Sequence, residues 1–180
     1  MSKSFPVLES KRLLLRQIVA TDQEAVFKGL SDPEVIKYYG VSFDSLEATE
    51  EQMIWFSELE NTKAGVWWAI CTKDDNQFLG AAGINDFDKK KRKAEIGFWL
   101  YPKNWGQGYV FEALSLILEQ VFNNMELDKL EAFVETKNTA SVKTLKKLGF
   151  YLETTLLNCE LKNGIPISLH VFIKKSIDAQ

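Results

Sequence analysis

Two spacings of apolar residues meet in the middle of this chain. From Ala94 to Leu100 the apolar positions Ile96, Phe98 and Leu100 alternate with Glu95, Gly97 and Trp99, which predicts a strand. Pro102 and Asn104 break it. From Val110 the spacing changes: Val110, Ala113, Leu114, Ile117, Leu118, Val121 and Phe122 fall at i, i+3, i+4, i+7, i+8, i+11 and i+12. That is one unbroken face of a helix. Between the two patterns lies a short glycine turn, Trp105-Gly106-Gln107-Gly108-Tyr109-Val110.

The same reading extends to the rest of the chain. Arg12 to Ile18 predicts a first strand, and Thr21 or Asp22 caps a helix through Ala25, Val26, Phe27 and Leu30. Ser31-Asp32-Pro33 restarts the chain, and Val35-Ile36 continues the apolar face. Asp44 or Ser45 is expected to cap a second helix carrying Leu46, Met53, Ile54, Trp55, Phe56 and Leu59. Gly65 to Thr72 and Phe78 to Ile84 read as a hairpin around Asp74-Asp75-Asn76. Asp88 to Lys93 is a second turn; its basic run suits a solvated hairpin tip better than an RNA contact. Leu130 to Val134 is another strand. The helix after it places Val142, Leu145 and Leu148 inward and ends at Gly149 as a left-handed cap. Tyr151 to Leu161 and Ile165 to Lys174 flank Asn163-Gly164, a strong hairpin signal. The order β-α-α-β-β-β-α-β-α-β-β predicts a mixed α/β (α+β) single domain over residues 1–180. It would have a seven-stranded sheet with about four helices on its faces.

Composition adds limits. A chain of 180 residues, 46% hydrophobic and 26% charged, can bury a real core. The net charge of −3 argues against an electrostatic DNA binder. Cys71 and Cys159 are in no metal or redox spacing and read as reduced, buried thiols; the single His170 cannot build a metal cluster. No signal peptide or bilayer-spanning run is seen, so the expected location is the cytoplasm, with no membrane partner.

The glycine turn carries the candidate chemistry. A helix start leaves backbone N–H groups unpaired and adds partial positive charge, and glycines let an anion approach closely. Such a turn suits a phosphate or pyrophosphate, or it is an ordinary strand–helix connection. A P-loop lacks its Gly-Lys-Ser/Thr here, and a dinucleotide fingerprint would need a third glycine at Phe111.

The stretch resembles motif A of the GNAT superfamily of N-acetyltransferases, Q/R-x-x-G-x-G/A, with Trp105 at the first position, Gly108 at the fourth and Val110 at the last. Trp105 and Val110 depart from that pattern. The form P-x-x-W-G-x-G-Y followed by Glu-Ala, Pro102 to Ala113, is similar to the RimJ/RimL-type branch. Asn138 to Phe150, N-x-x-S-x-x-x-L-x-x-L-G-F, is a second point of likeness. The resemblance implies a GNAT fold whose two central parallel strands, Ala94–Leu100 and Leu130–Val134, splay apart around acetyl-CoA. It implies cofactor contacts from Phe98, Trp99, Leu100, Trp105, Gly106, Gln107, Gly108, Tyr109, Val110 and Asn138, with Lys103, Lys143 or Lys146 near the 3′-phosphate. Asn138 doubles as a helix cap. Tyr38, Tyr39, Phe43 and Trp68 are expected to wall an acceptor pocket, or alternatively to pack against the helices.

Glu95 is the expected base, and Ser141 the expected partner of the departing thiolate, because Leu145 stands where many members of the family carry a tyrosine. Each has a plain alternative: Glu95 as an outward residue of a strand, Ser141 as a first-turn helix residue bonded locally. The implied activity is acetyl transfer from acetyl-CoA to a primary amine. The expected acceptor is a protein N-terminal α-amine, as in ribosomal-protein-alanine acetyltransferases. The alternatives are a polyamine or aminoglycoside, which the acidic Asp44, Glu47, Glu50 and Glu51 would suit, or a CoA-binding module without turnover. The chain is expected to be a monomer or homodimer.

Overall fold

The alternating segments assemble into one eight-stranded sheet in the computed structural model, which describes residues 5–176; the first and last four residues of the expected domain lie outside it. The strands are β1 (Leu8–Glu9), β2 (Leu13–Gln17), β3 (Val66–Thr72), β4 (Phe78–Asp88), β5 (Lys93–Leu100), β6 (Lys129–Glu135), β7 (Tyr151–Lys162) and β8 (Ile165–Lys175). Their order is β1-β2-β3-β4-β5-β6-β8-β7, and β5–β6 is the parallel pair. The pattern predicted seven strands; the eighth is β1, two residues pairing with β2 and too short to show a period.

Among the described residues five α-helices pack on the sheet: α1 (Gln23–Leu30), α2 (Pro33–Ile36), α3 (Glu50–Thr62), α4 (Tyr109–Asn124) and α5 (Thr139–Lys147). One more than expected arises because Pro33 divides the first helical region. Asp32 caps the new start by accepting from the Glu34 N–H at 2.9 Å. α3 begins at Glu50, later than Asp44 or Ser45; Ser45 Oγ instead caps the preceding turn, accepting from the Ala48 N–H at 3.1 Å. Asn138 and Gly149 cap α5 as expected, Gly149 at φ 82°. Asn163 and Gly164, both at positive φ, turn the last hairpin.

The sheet has a core on each face. On one side Leu114, Ile117 and Val121 of α4 pack over Leu15, Trp68, Ile70, Ile84 and Ile96. On the other, Val26, Leu30 and Phe56 cover Trp67, Ala69, Trp99 and Tyr101. Strand parity therefore separates two adjacent tryptophans. Trp68, expected in the acceptor wall, is fully buried on the α4 side, where its indole N–H donates to the Pro6 carbonyl at 2.6 Å. Trp67 faces the other way. Its ring lies along the row Trp67–Gly83–Gly97, and a side chain at either glycine would strike it. Cys71 is buried as expected, whereas Cys159 is exposed on β7, because β7 closes the sheet as an edge strand.

β5 and β6 pair only at Lys93–Lys129, Ala94–Leu130 and Glu95–Glu131. Beyond Glu95, β5 stays with β4 and β6 stays with β8, so the two central strands part as expected.

A methyl group at Gly83 would sit 2.4 Å from both the Val66 carbonyl oxygen and the Trp67 ring. We expect Gly83→Ala to destabilise the fold by about 1–3 kcal/mol, the usual cost of overpacking, read as a lower urea midpoint. An unchanged midpoint would contradict the packing of Trp67 on this row.

Candidate active site

The turn after β5 is shaped by two residues with positive φ, Gly106 at 72° and Gly108 at 80°. A side chain is strained there, so the sequence places glycine. Gly108 is the N-cap of α4 and offers no side chain to the helix start. The N–H groups of Tyr109, Val110 and Phe111 thus have no partner within α4, and no other described backbone carbonyl accepts from them. Together with the helix dipole they form a cradle for an anion.

Neighbouring groups hold the cradle in place. The Trp105 indole N–H donates to the Leu100 carbonyl at 2.9 Å, fastening the turn to the end of β5. Arg12 Nη1 donates to the Gln107 carbonyl at 3.1 Å, and its guanidinium lies 4.5 Å over the Tyr109 ring. Arg12 also forks onto Glu112 Oε2, at 2.8 Å from Nε and 2.5 Å from Nη2, while Ser10 Oγ donates to Oε1 at 2.5 Å. Glu112, the one acidic group in the first turn of α4, is therefore neutralised where it would otherwise repel an anion.

Two clefts meet beside this turn. The first, about 410 Å³, is lined by the turn, by Phe98 to Leu100, and by Asn138, Ala140, Ser141, Thr144 and Lys147. The second, about 390 Å³, lies on the α1–α3 face of the sheet and is lined by Glu95, Trp55, Trp67, Phe133, Glu135, Glu160 and Lys162, among others. Tyr38, Tyr39, Phe98, Asn138 and Ser141 line both and mark the junction. The gap between β5 and β6 opens there, with strand backbone along its sides.

Glu95 is the titratable group of interest. Burial, then the charges of Asp86, Glu131 and Glu160, push its carboxyl up to about 7. No described residue donates a hydrogen bond to that carboxylate, in contrast to Glu131, which takes Lys93 at 2.8 Å and Lys129 at 2.7 Å. Burial first, and the charge of Glu95 second, push the Tyr39 phenol above its usual range, so it stays protonated. Asn138 Oδ1 accepts from the Ser141 N–H at 3.2 Å, which leaves the Asn138 amide NH₂ and the Ser141 hydroxyl free for other partners.

The structure brings most of the sequence-predicted residues together. Phe98, Leu100, Trp105, Gly106, Gly108, Tyr109, Val110, Asn138 and Ser141 line the first cleft, and Glu95, Tyr38 and Tyr39 the second. Trp99 borders the first cleft from the strand, but its indole packs against Phe78 and Tyr101 in the core. Gln107 lies outside the lining, its side chain folded back onto the Lys103 carbonyl at 2.9 Å. Phe43 packs against the second core, and Trp68 faces away. The lysines on the first cleft are Lys37 and Lys147, not Lys103, Lys143 or Lys146. Asp44, Glu47, Glu50 and Glu51 are exposed and line neither cleft. Sequence reasoning missed Trp55, Trp67, Phe133, Glu135, Glu160 and Lys162. They come from separate strands and a helix, and share a wall only through the strand order and register.

A helix-start cradle, a parted strand pair and a half-buried carboxylate at the junction would suit a transferase that holds a phosphate-bearing donor against a nucleophile. The chain matches the acetyltransferase (GNAT) domain over residues 12–151 and belongs to that family. It is 36% identical over 169 residues to "Uncharacterized N-acetyltransferase YoaA" of Bacillus subtilis (strain 168), covering 93% of this chain and 96% of that protein. RimL, the ribosomal L7/L12 alpha-N-protein acetyltransferase solved with coenzyme A, has the same fold at a TM-score of 0.87 and 19% identity, over 97% of this chain and 100% of that one. Spermidine N-acetyltransferase from Vibrio cholerae, solved with CoA and spermine, gives a TM-score of 0.83 at 17% identity, over 93% and 97%. The chain is thus an acetyltransferase, with acetyl-CoA as the family's donor.

The free N–H groups of Tyr109 to Phe111 and the open edge of β5 fit that donor's pyrophosphate and its amide-bearing arm. We expect Gly108→Asp, which adds a charge and a strained side chain to the cradle, to weaken CoA binding at least about tenfold by calorimetry, ~1.4 kcal/mol or more. Unchanged binding in a folded variant would remove the pyrophosphate from this turn.

Proposed function

We propose that the enzyme transfers the acetyl group of acetyl-CoA to a protein N-terminal α-amine, as a RimJ/RimL-type acetyltransferase of the cytoplasm. Acetyl-CoA supplies the activated acyl group. The observation that carries the reading is Glu95, raised to about 7 at the junction of the two clefts. A base works best when its pKa lies near that of the group it deprotonates. An α-amine, at roughly 7.7–8.0, sits about one unit above Glu95, whereas a lysine-like amine sits more than three units above, at ~1.4 kcal/mol per unit. Exposed Val41 and Leu161 on the second cleft add an apolar rim that a peptide can cover.

The roles of the remaining groups follow from position. The tyrosines at 38 and 39, with Trp55, Trp67 and Phe133, hold the acceptor and exclude water. Glu95 takes the ammonium proton. Backbone N–H groups near Phe98 to Leu100 polarise the acyl carbonyl. As the amide forms and the C–S bond breaks, the attacking nitrogen gives up its second proton, and Ser141 Oγ, which lines the junction, relays it to the leaving sulfur. Asn138 holds the Ser141 backbone N–H through its Oδ1, which leaves its NH₂ to bond the cofactor.

A second reading, a small polycationic amine, is supported by Glu160 on the same cleft, which has no ion-pair partner among the described residues. A screen with N-terminal peptides, spermidine and aminoglycosides, read by thiol release, separates the two. We expect the peptides to give the highest kcat/KM; turnover of spermidine or an aminoglycoside without peptide turnover would reverse the choice. For the base, kcat should rise with pH and level off above about 7, as the Glu95 carboxyl loses its proton. Glu95→Gln should lower kcat on the order of 10²–10⁴ and remove that inflection. Nearly full kcat in this variant at neutral pH would leave catalysis to positioning alone.

A further inference from the structure

The second cleft contains a cation of its own. Lys162 Nζ donates to Glu135 Oε1 at 2.6 Å and to the Lys37 carbonyl at 2.6 Å. Lys162 ends β7 at the tip of the last hairpin, and Lys37 is the C-terminal cap of α2, just before Tyr38 and Tyr39. One ammonium therefore ties the hairpin tip to the segment that walls both clefts. The pair is partly sheltered, with side chains 26% and 11% exposed for Lys162 and Glu135, so it is stronger than an open surface bridge.

A charge count gives the contact a meaning. Among the described residues, the carboxylates lining the cleft are Glu95, Glu135 and Glu160, and the one cation lining it is Lys162. Glu95 and Glu160 have no ion-pair partner among the described residues, while Glu135 is matched by Lys162. An acceptor with a second positive charge would find Glu135 already neutralised.

We propose that Lys162 is a specificity-determining residue: it is the built-in counter-ion of Glu135, and it disfavours polycationic acceptors against those with one amine at the reacting end. The inference rests on the reading of the second cleft as the acceptor site. Selectivity here comes from occupying the competing partner's binding group rather than from improving contacts to the favoured one. Lys162 acts by charge and position and takes no part in proton transfer.

The test compares wild type, Lys162→Met, Lys162→Arg and the double variant Lys162→Met/Glu135→Gln, with spermidine and an amidated tetrapeptide lacking charged side chains as probes. In the presence of CoA, Lys162→Met should bind spermidine at least about tenfold tighter by calorimetry. Its kcat/KM ratio, spermidine over peptide, should rise by a similar factor. Lys162→Arg should retain the wild-type ratio. Removing Glu135 as well should return spermidine affinity to the wild-type level, because the gained site is that carboxylate. Lys162→Gln, which keeps a donor for the Lys37 carbonyl and removes the charge, carries the same expectation should Lys162→Met not fold. Unchanged or weaker spermidine binding in both charge-removing variants, or tighter binding that persists without Glu135, overturns the proposal. The calorimetric arm reads Glu135 without turnover, so a failure of the acetyl-transfer reading shows separately, as absent thiol release from both probes.

Discussion

The parting of β5 from β6 is the constraint on which the site depends. The strands share three register pairs and then separate at Glu95–Glu131, each keeping its outer neighbour. Backbone polar groups that leave a sheet must be satisfied elsewhere. Here the freed edges face an open gap, where an extended amide-bearing arm can bond as an added strand would. The helices that follow the two strands, α4 and α5, both begin at the mouth of that gap. The glycine cradle and the Asn138 cap therefore stand on the same side, one at each strand end. Ligand sites at the carboxyl ends of parallel strands where neighbours diverge follow the same geometry in open α/β sheets.

The same separation sets the electrostatics. Glu95 is the last residue of β5 to pair with β6, and its half-buried side chain opens onto the cleft. Its partner in register, Glu131, is held by two lysines, and Glu95 has none. One carboxylate is thereby held charged by its lysines, while the other is pushed up to about 7. At the opposite end, Glu112 stands in the first turn of α4 and is neutralised by Arg12 and Ser10, so the helix start keeps its attraction for an anion. Both sites show carboxylates sorted by what lies within hydrogen-bonding reach.

Much of this was legible in the chain, and the exceptions have physical causes. The period change between Leu100 and Val110 located both the strand and the α4 face, because Ile96 and Leu100 of the one and Leu114, Ile117 and Val121 of the other are buried in a single core. Gly106 and Gly108 marked the cradle because their positive φ strongly favours glycine. Choosing between Trp67 and Trp68 required the parity of β3, which depends on which face of the sheet meets α4. With a core on both faces, every residue from Val66 to Cys71 is buried, and no alternation remains to show it. Glu135, Glu160 and Lys162 were invisible for a different reason. Their meeting depends on the β6-β8-β7 order and on the register slips in β7, neither of which leaves a local pattern. β1 is too short to signal itself, and Cys159 is exposed because its strand forms the edge.

The central claim is that the donor lies in the gap between β5 and β6, with its pyrophosphate on the start of α4. Amide chemical shifts followed during a titration with CoA test it most directly, since they report on backbone N–H groups one by one. The account predicts that the largest changes fall on Gly108 to Phe111, on Phe98 to Leu100 and on Asn138, while α3 and the β3–β4 turn stay still. Changes confined to the second cleft, or spread over the α1–α3 face with the α4 start unmoved, would contradict it.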